Sequence, residues 1–101
     1  MQATVSKESG KTVIKLSGRF DFNAHRDFRV AYEALLGDPS VTTVAVDFDG
    51  VDYLDSSALG MLLMLRDKLG GQNKMVVLTS VKGSVKQVLD IANFGKLFQI
   101  S

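Results

Sequence analysis

Residues 47–65 decide the fold, and they read DFDGVDYLDSSALGMLLML. The stretch contains the end of an apolar strand, a turn rich in carboxylates, a pair of serines and then an apolar helix. Ser56 lies where this helix is predicted to begin, so its hydroxyl could cap free backbone N–H groups. A phosphate on the same hydroxyl would place a dianion at the positive end of the helix dipole. The stretch therefore predicts a helix start at which Ser56 is either a cap or a switch.

The spacing of apolar residues predicts eight elements in the order β-β-α-β-α-β-α-β. A turn at Ser9-Gly10 separates the first two strands, and Asp49-Gly50 is predicted to end the third. Asn23 is the predicted N-cap of the first helix. Ser84 and Gln87 match a capping box at the start of the third helix, and Gly95 is predicted to stop it. The predicted elements cover residues 4–8, 12–17, 24–36, 41–48, 56–69, 75–78, 85–94 and 96–100.

This order of elements predicts an α/β fold. Strands that alternate with helices need right-handed crossovers, which give a mainly parallel sheet, and the opening hairpin makes the sheet mixed. Three helices are too few to cover both faces, so we expect them mostly on one face. The continuous apolar run at residues 75–78 nevertheless predicts a central strand that is covered on both faces.

The composition is that of a globular protein with one core, and we expect residues 1–101 to form a single domain. A net charge of +1 argues against nucleic-acid binding, which would need a basic face. The longest apolar run, residues 58–65, is far shorter than the roughly 20 residues of a membrane helix. The N-terminus has no apolar signal segment, so we expect a cytoplasmic protein, and nothing in the sequence calls for a cofactor.

Two catalytic interpretations stay open beside the cap and the switch. Residues 44–51, VAVDFDGV, resemble the start of haloacid-dehalogenase-type phosphatases, which implies a magnesium-dependent phosphotransferase using Asp47 and Asp49. That family also needs a later lysine and an acidic pair, and aspartates are ordinary turn residues. A nucleophilic Ser56 with His25 as its base would need a third, orienting group, and the sequence indicates none.

A longer resemblance is carried by residues 53–60, YLDSSALG. They resemble the motif of STAS domains, most closely the bacterial anti-sigma factor antagonists, in which Asp-Ser-[Ser/Thr]-Gly-Leu-Gly opens a helix. Residues 18–21, GRFD, resemble the family's Gly-x-Leu-Asp, and the likeness covers nearly the whole chain. The resemblance implies a STAS-like fold, and it places Ser56 at the position of the family's phosphorylated serine.

The resemblance implies a regulatory binding protein without a catalytic role. When Ser56 is unphosphorylated, the protein would bind an anti-sigma factor or a GHKL-type serine kinase and so free a sigma factor. A PP2C-type phosphatase would reverse the modification. The alternative is a STAS scaffold or transport-associated subunit that is not phosphorylated. The expected partner-binding residues lie in the loop after the second strand, in the serine turn and on the second helix: Asp21, Asp55, Ser56, Ser57, Leu59, Leu63 and Met64.

Two departures from the family pattern carry expectations. Ala58 replaces the first motif glycine, which predicts a stiffer helix start and slower phosphorylation if a kinase needs close backbone approach there. The sequence ends at Ser101, where family members usually continue into a final helix. We therefore expect an exposed apolar surface near Phe94, Leu97 and Phe98, which a partner or a second copy in a homodimer could cover.

Overall fold

The computed structural model describes residues 1–8 and 10–101, so the Ser9 part of the predicted turn lies outside the described residues. Its strands form one sheet in the order β1-β2-β3-β4-β5. The first pair is antiparallel and the other three pairs are parallel, which confirms the predicted mixed sheet. The strands are β1 (Gln2–Glu8), β2 (Lys11–Phe20), β3 (Thr43–Leu54), β4 (Met75–Thr79) and β5 (Gln99–Ile100).

Within the described residues, three α-helices connect the parallel strands, and two short 3-10 turns accompany them. Because each crossover leads to the next strand in the same direction, right-handed connections put all three helices on one face. None of the helices in the described ranges combines the length and the apolar character needed to cross a membrane. The helices are α1 (His25–Glu33), α2 (Ser56–Gly70) and α3 (Gly83–Ile91), and the 3-10 turns are Phe22–Ala24 and Phe94–Lys96.

Burial alternates along the strands, as expected of a sheet with one covered face. In β4, Val76 and Leu78 are buried while Val77 is only half-buried, and Met75 is 59% exposed. The prediction that β4 is covered on both faces is therefore wrong. An apolar run does not reveal on its own whether one or both faces of a strand meet a helix.

Aromatic side chains fill the centre of the core between the sheet and the helices. Phe20 of β2 packs against Phe28 of α1, with ring centroids 5.0 Å apart, and against Phe48 of β3 at 6.3 Å. Phe94 and Phe98 also stack on one another and are each only 4% exposed. The predicted exposed surface after α3 is thus wrong for these two residues, because the 3-10 turn directs both rings inward.

Strand β3 is longer than predicted. Lys15 pairs with Asp47 but Ser17 pairs with Gly50, so β3 contains one extra residue there and bulges instead of turning. A Cβ at Gly50 would come within 3.0 Å of the Leu16 carbonyl oxygen, so glycine permits this close approach of the two backbones. The prediction that Asp49-Gly50 ends the third strand is wrong, and β3 continues to Leu54.

Three predicted helix boundaries also differ from the structure. Asp21, and not Asn23, caps the first 3-10 turn, since its carboxylate accepts the Asn23 N–H at 3.0 Å. Helix α3 begins at Gly83 after Lys82, and no side chain caps it, so the capping box at Ser84 is not formed. It ends at Ile91, and Asn93 rather than Gly95 adopts the left-handed conformation at φ 60°. The last strand is correspondingly short.

Lys74 holds the connection between α1 and β3. Its ammonium donates to the carbonyl oxygens of Asp38 at 2.7 Å and Val41 at 2.9 Å, and the residue is only 8% exposed. Buried carbonyl groups that lose their donors retain the full cost of their desolvation. A single side chain after α2 therefore fixes the loop that feeds the central strand.

We expect Lys74→Met to lower the free energy of unfolding by about 1–3 kcal/mol, because the apolar stem is kept while two carbonyls lose a charged donor. Urea denaturation followed by circular dichroism measures this change. Lys68→Met, at an exposed position of α2, is the control and should stay within about 0.5 kcal/mol of wild type. Equal effects of the two substitutions would contradict the assigned role of Lys74.

Candidate functional site

The site lies where β2 and β3 end at the same edge of the sheet. The Asp55 N–H donates to the carbonyl oxygen of Phe20 at 3.3 Å, which joins the two strand ends. Asp21 and Ser56 each follow one residue later, and the 3-10 turn after Asp21 contacts α2. The structure thus brings the two predicted segments, the loop after β2 and the serine turn, to one end of the molecule.

Asp55 is the N-cap of α2. Its backbone is extended, with φ −115° and ψ −177°, and its carboxylate accepts the N–H groups of Ser57 at 2.9 Å and Ala58 at 3.3 Å. The prediction that Ser56 caps the helix is therefore wrong. A carboxylate satisfies the free amides as well as a hydroxyl does and also carries negative charge to the positive end of the helix.

The three residues that follow the cap differ in exposure. Ser56 is the first residue of α2 and its side chain is exposed, whereas Ser57 is half-buried. Ala58 is fully buried, so its methyl group faces the core and not the surface. The Ala58 side chain therefore does not obstruct a kinase that approaches the start of α2. Of the two serines, Ser56 is the more accessible.

A cation–π pair lies beside the serine turn. Arg19 and Tyr53 are direct neighbours across β2 and β3, and the guanidinium lies 4.0 Å from the centre of the tyrosine ring. The Arg19 Nε is also 3.6 Å from a carboxylate oxygen of Asp21. Sequence reasoning missed this cluster, because the two bulges of β3 set the register that pairs residue 19 with residue 53.

The predicted partner-binding residues of α2 lie on its exposed side. Leu59 is half-buried, Leu63 is 37% exposed and Met64 is 43% exposed. Residues three, four, seven and eight positions apart share one face of a helix, so these side chains follow Ser56 along the same face. The accessible face of α2 thus carries the apolar side chains of Leu63 and Met64 beyond Ser56 and becomes polar from Arg66 onward. It lies beside two acidic residues, Asp21 of the loop after β2 and Asp55 of the serine turn.

The carboxylates of the magnesium interpretation have local partners in the structure. Asp47 accepts the N–H of Asp49 at 2.8 Å, and Asp49 accepts the Lys82 ammonium at 2.7 Å. The hydrogen bond from Lys82 and its positive charge hold the pKa of Asp49 below its ordinary value. Among the described residues, no three His, Cys, Asp or Glu side chains are grouped as ligands of a metal ion. These contacts fit a structural role in joining β3 to the loop before α3.

Comparison with known proteins gives consistent matches. The family described as "Mlab, STAS domain" matches residues 3–99. A STAS-domain containing protein of Pseudomonas aeruginosa (strain UCBPP-PA14) is 46% identical over 99 residues, which cover 98% of this chain and 96% of that protein. An anti-sigma F factor antagonist of Lysinibacillus sphaericus is 25% identical over 83 residues, covering 82% of this chain and 71% of that one.

The fold is also that of a solved anti-sigma factor antagonist. The unphosphorylated form of SpoIIAA superposes with a TM-score of 0.73 at 21% identity, over 98% of this chain and 86% of that one. The phosphorylated form of the Bacillus protein gives 0.72 at 20% identity, over 98% and 90% of the two chains. These matches confirm the predicted STAS-like α/β fold.

The assignment of the cap predicts different stabilities for two neighbouring substitutions. We expect Asp55→Ala to lower the free energy of unfolding by about 1 kcal/mol, because the Ser57 amide loses its acceptor and the Ala58 amide keeps only the Asp55 carbonyl oxygen. Ser56→Ala should change it by less than about 0.5 kcal/mol. Asp52→Ala, at an exposed aspartate outside the cap, is the control in the same urea titration. If Ser56→Ala lowers the free energy of unfolding as much as Asp55→Ala does, Ser56 and not Asp55 caps the helix.

Proposed function

This chain belongs to the STAS domain family, and on that basis we propose that it is a phosphorylation-switched anti-sigma factor antagonist. Unphosphorylated at Ser56, it binds an anti-sigma factor or a GHKL-type serine kinase and thereby frees a sigma factor. The kinase transfers phosphate to Ser56, and a PP2C-type phosphatase removes it. The protein works in the cytoplasm as a non-catalytic binding module, and residues 1–101 form its single domain.

One observation carries this proposal: the Ser56 hydroxyl is exposed and the capping of α2 does not use it. A serine that capped the helix would lose that contact on modification, whereas Ser56 has no such contact to lose. The named relatives support the proposal, since one is an anti-sigma F factor antagonist and another is a protein solved in a phosphorylated form.

Charge at Ser56 acts directly on the proposed binding surface. A phosphoserine adds about −1.5 to −2 charge at neutral pH, beside the carboxylate of Asp55 and at the start of the face that carries Leu59 and Leu63. Placing that charge against an apolar or acidic partner surface costs several kcal/mol, through desolvation and repulsion. About 4 kcal/mol is sufficient to turn a micromolar complex into a millimolar one, so one modified hydroxyl separates the partners.

The residues around Ser56 fit the edge of a protein interface. Tyr53 is 39% exposed under the Arg19 guanidinium, and Phe22 in the adjacent 3-10 turn is 74% exposed. Tyrosine and arginine are enriched among the residues that dominate binding energy at protein interfaces. The proposed interface therefore comprises this cluster, the serine turn and the exposed face of α2.

The proposal predicts phosphate transfer to one serine and loss of binding with the added charge. Purified GHKL-type serine kinases of the source organism are incubated with the protein and ATP, and the modified residue is located by mass spectrometry. We expect phosphate on Ser56 and none on Ser57. Calorimetry with ADP present should show binding of wild type and Ser56→Ala, and binding weakened at least about tenfold by Ser56→Asp.

Ser84→Asp is the matched control, because it places the same charge at an exposed serine near the start of another helix, α3. It should bind as wild type does. If Ser56→Asp and Ser84→Asp both bind like wild type and no phosphate is transferred, the switch is refuted and the scaffold alternative takes its place. Turnover of a generic phosphate ester that needs magnesium and is lost in Asp47→Asn would instead support an enzyme.

A further inference from the structure

Gly60 occupies a position at which the fold does not need glycine. It is an exposed residue inside α2, and apart from the backbone of its own helix turn an added Cβ would meet no heavy atom of the described chain within 4 Å. Glycine inside a helix is less stable than alanine, because its backbone loses more freedom on folding. The isolated protein would therefore be more stable with alanine at this position, and the glycine lacks an explanation in the packing of the chain.

Gly60 belongs to the same helix face as Ser56. They are four positions apart in the sequence, so they are neighbours on successive turns, and a rise of about 1.5 Å per residue puts them about 6 Å apart along the axis. Leu63 and Met64 follow on the next turn of that face, and both are partly exposed. A protein that holds the Ser56 hydroxyl in an active site must therefore cover Gly60 as well.

We propose that Gly60 is the point of closest approach between α2 and the kinase that modifies Ser56, an inference that rests on the proposed function. The missing side chain leaves a notch between the hydroxyl and the apolar side chains of Leu63 and Met64. An apolar segment of the kinase fills this notch with its backbone close to that of α2. Gly60 thus determines which partner fits, while Ser56 determines when it binds.

Gly60 and Ala58 differ in a way that the sequence motif conceals. Ala58 is fully buried, so its methyl group points away from any partner. Gly60 is exposed on the partner side, so a methyl group there would stand in the interface. Alanine is accordingly tolerated at residue 58, whereas the glycine at residue 60 is the one that close approach requires.

The test compares Gly60→Ala with Gly70→Ala. Gly70 is also an exposed glycine of α2 with no heavy atom of the described chain within 4 Å of an added Cβ, and it lies about 15 Å further along the helix. We expect Gly60→Ala to raise the Tm of the free protein by roughly 2–6 °C, since helical alanine is the more stable residue. The measured quantities are this Tm, the Kd for the purified GHKL-type kinase with ADP, and the rate of Ser56 phosphorylation.

Gly60→Ala should weaken kinase binding and slow phosphorylation at least about tenfold, because a methyl group overpacks a close interface. Gly70→Ala should leave the Kd and the phosphorylation rate within about twofold of wild type, since surface substitutions far from an interface are nearly neutral. If wild type binds the kinase and Gly60→Ala binds it equally well, the proposed role of Gly60 is overturned while the phosphorylation switch stands. Failure of wild type itself to bind or accept phosphate overturns the proposed function, and this inference with it.

Discussion

The carboxylate of Asp55 holds together the end of the sheet at which the site lies. Its two oxygen-to-amide contacts, to Ser57 and Ala58, begin α2, and its own N–H binds the carbonyl oxygen of Phe20. One residue therefore ends β3, starts α2 and ties both to the end of β2. Because the cap is a carboxylate, the hydroxyl of the next residue is left without a structural duty, and that freedom is what a modifiable serine needs.

The topology of the sheet explains why the site forms at this edge. Strands that run in parallel bring their carboxyl ends together, so the loops after β2 and β3 are neighbours although about thirty residues separate them in sequence. Two bulges lengthen β3 and place Tyr53 beside Arg19. Helices on a single face leave α2 as an outer layer, so one side of it packs on the core while the side that follows Ser56 stays accessible.

Periodicity and element order were sufficient to predict the architecture. The alternation of strands and helices, with the constraint of handedness, gives the mixed sheet and its one covered face. The resemblance of residues 53–60 to the STAS motif indicated the serine. In contrast, the sequence leaves Ser56 open as the cap of α2 as well as the switch, because Asp, Ser and Ser in succession are all good N-caps and propensity does not rank neighbours.

Other features depend on contacts that sequence spacing does not contain. Asp49-Gly50 looks like a turn, but pairing with β2, in which Gly50 lies opposite Ser17, keeps the chain extended as a bulge. The burial of Phe94 and Phe98 depends on the direction in which a 3-10 turn points their rings. Lys82 contacts Asp49, and Lys74 contacts the loop before β3. Both contacts likewise join residues more than thirty positions apart. Tertiary context decides such features.

Amide hydrogen exchange at Ser57 and Ala58, measured by NMR before and after phosphorylation of Ser56, tests the separation of cap and switch most directly. If Asp55 alone caps α2, both amides keep their protection when the phosphate is added, and the change is confined to charge on an intact surface. If instead the two amides lose protection on phosphorylation, the modification unwinds the start of α2. Phosphorylation would then act by altering the helix, and Ser56 and Asp55 would have to be regarded as a single capping unit.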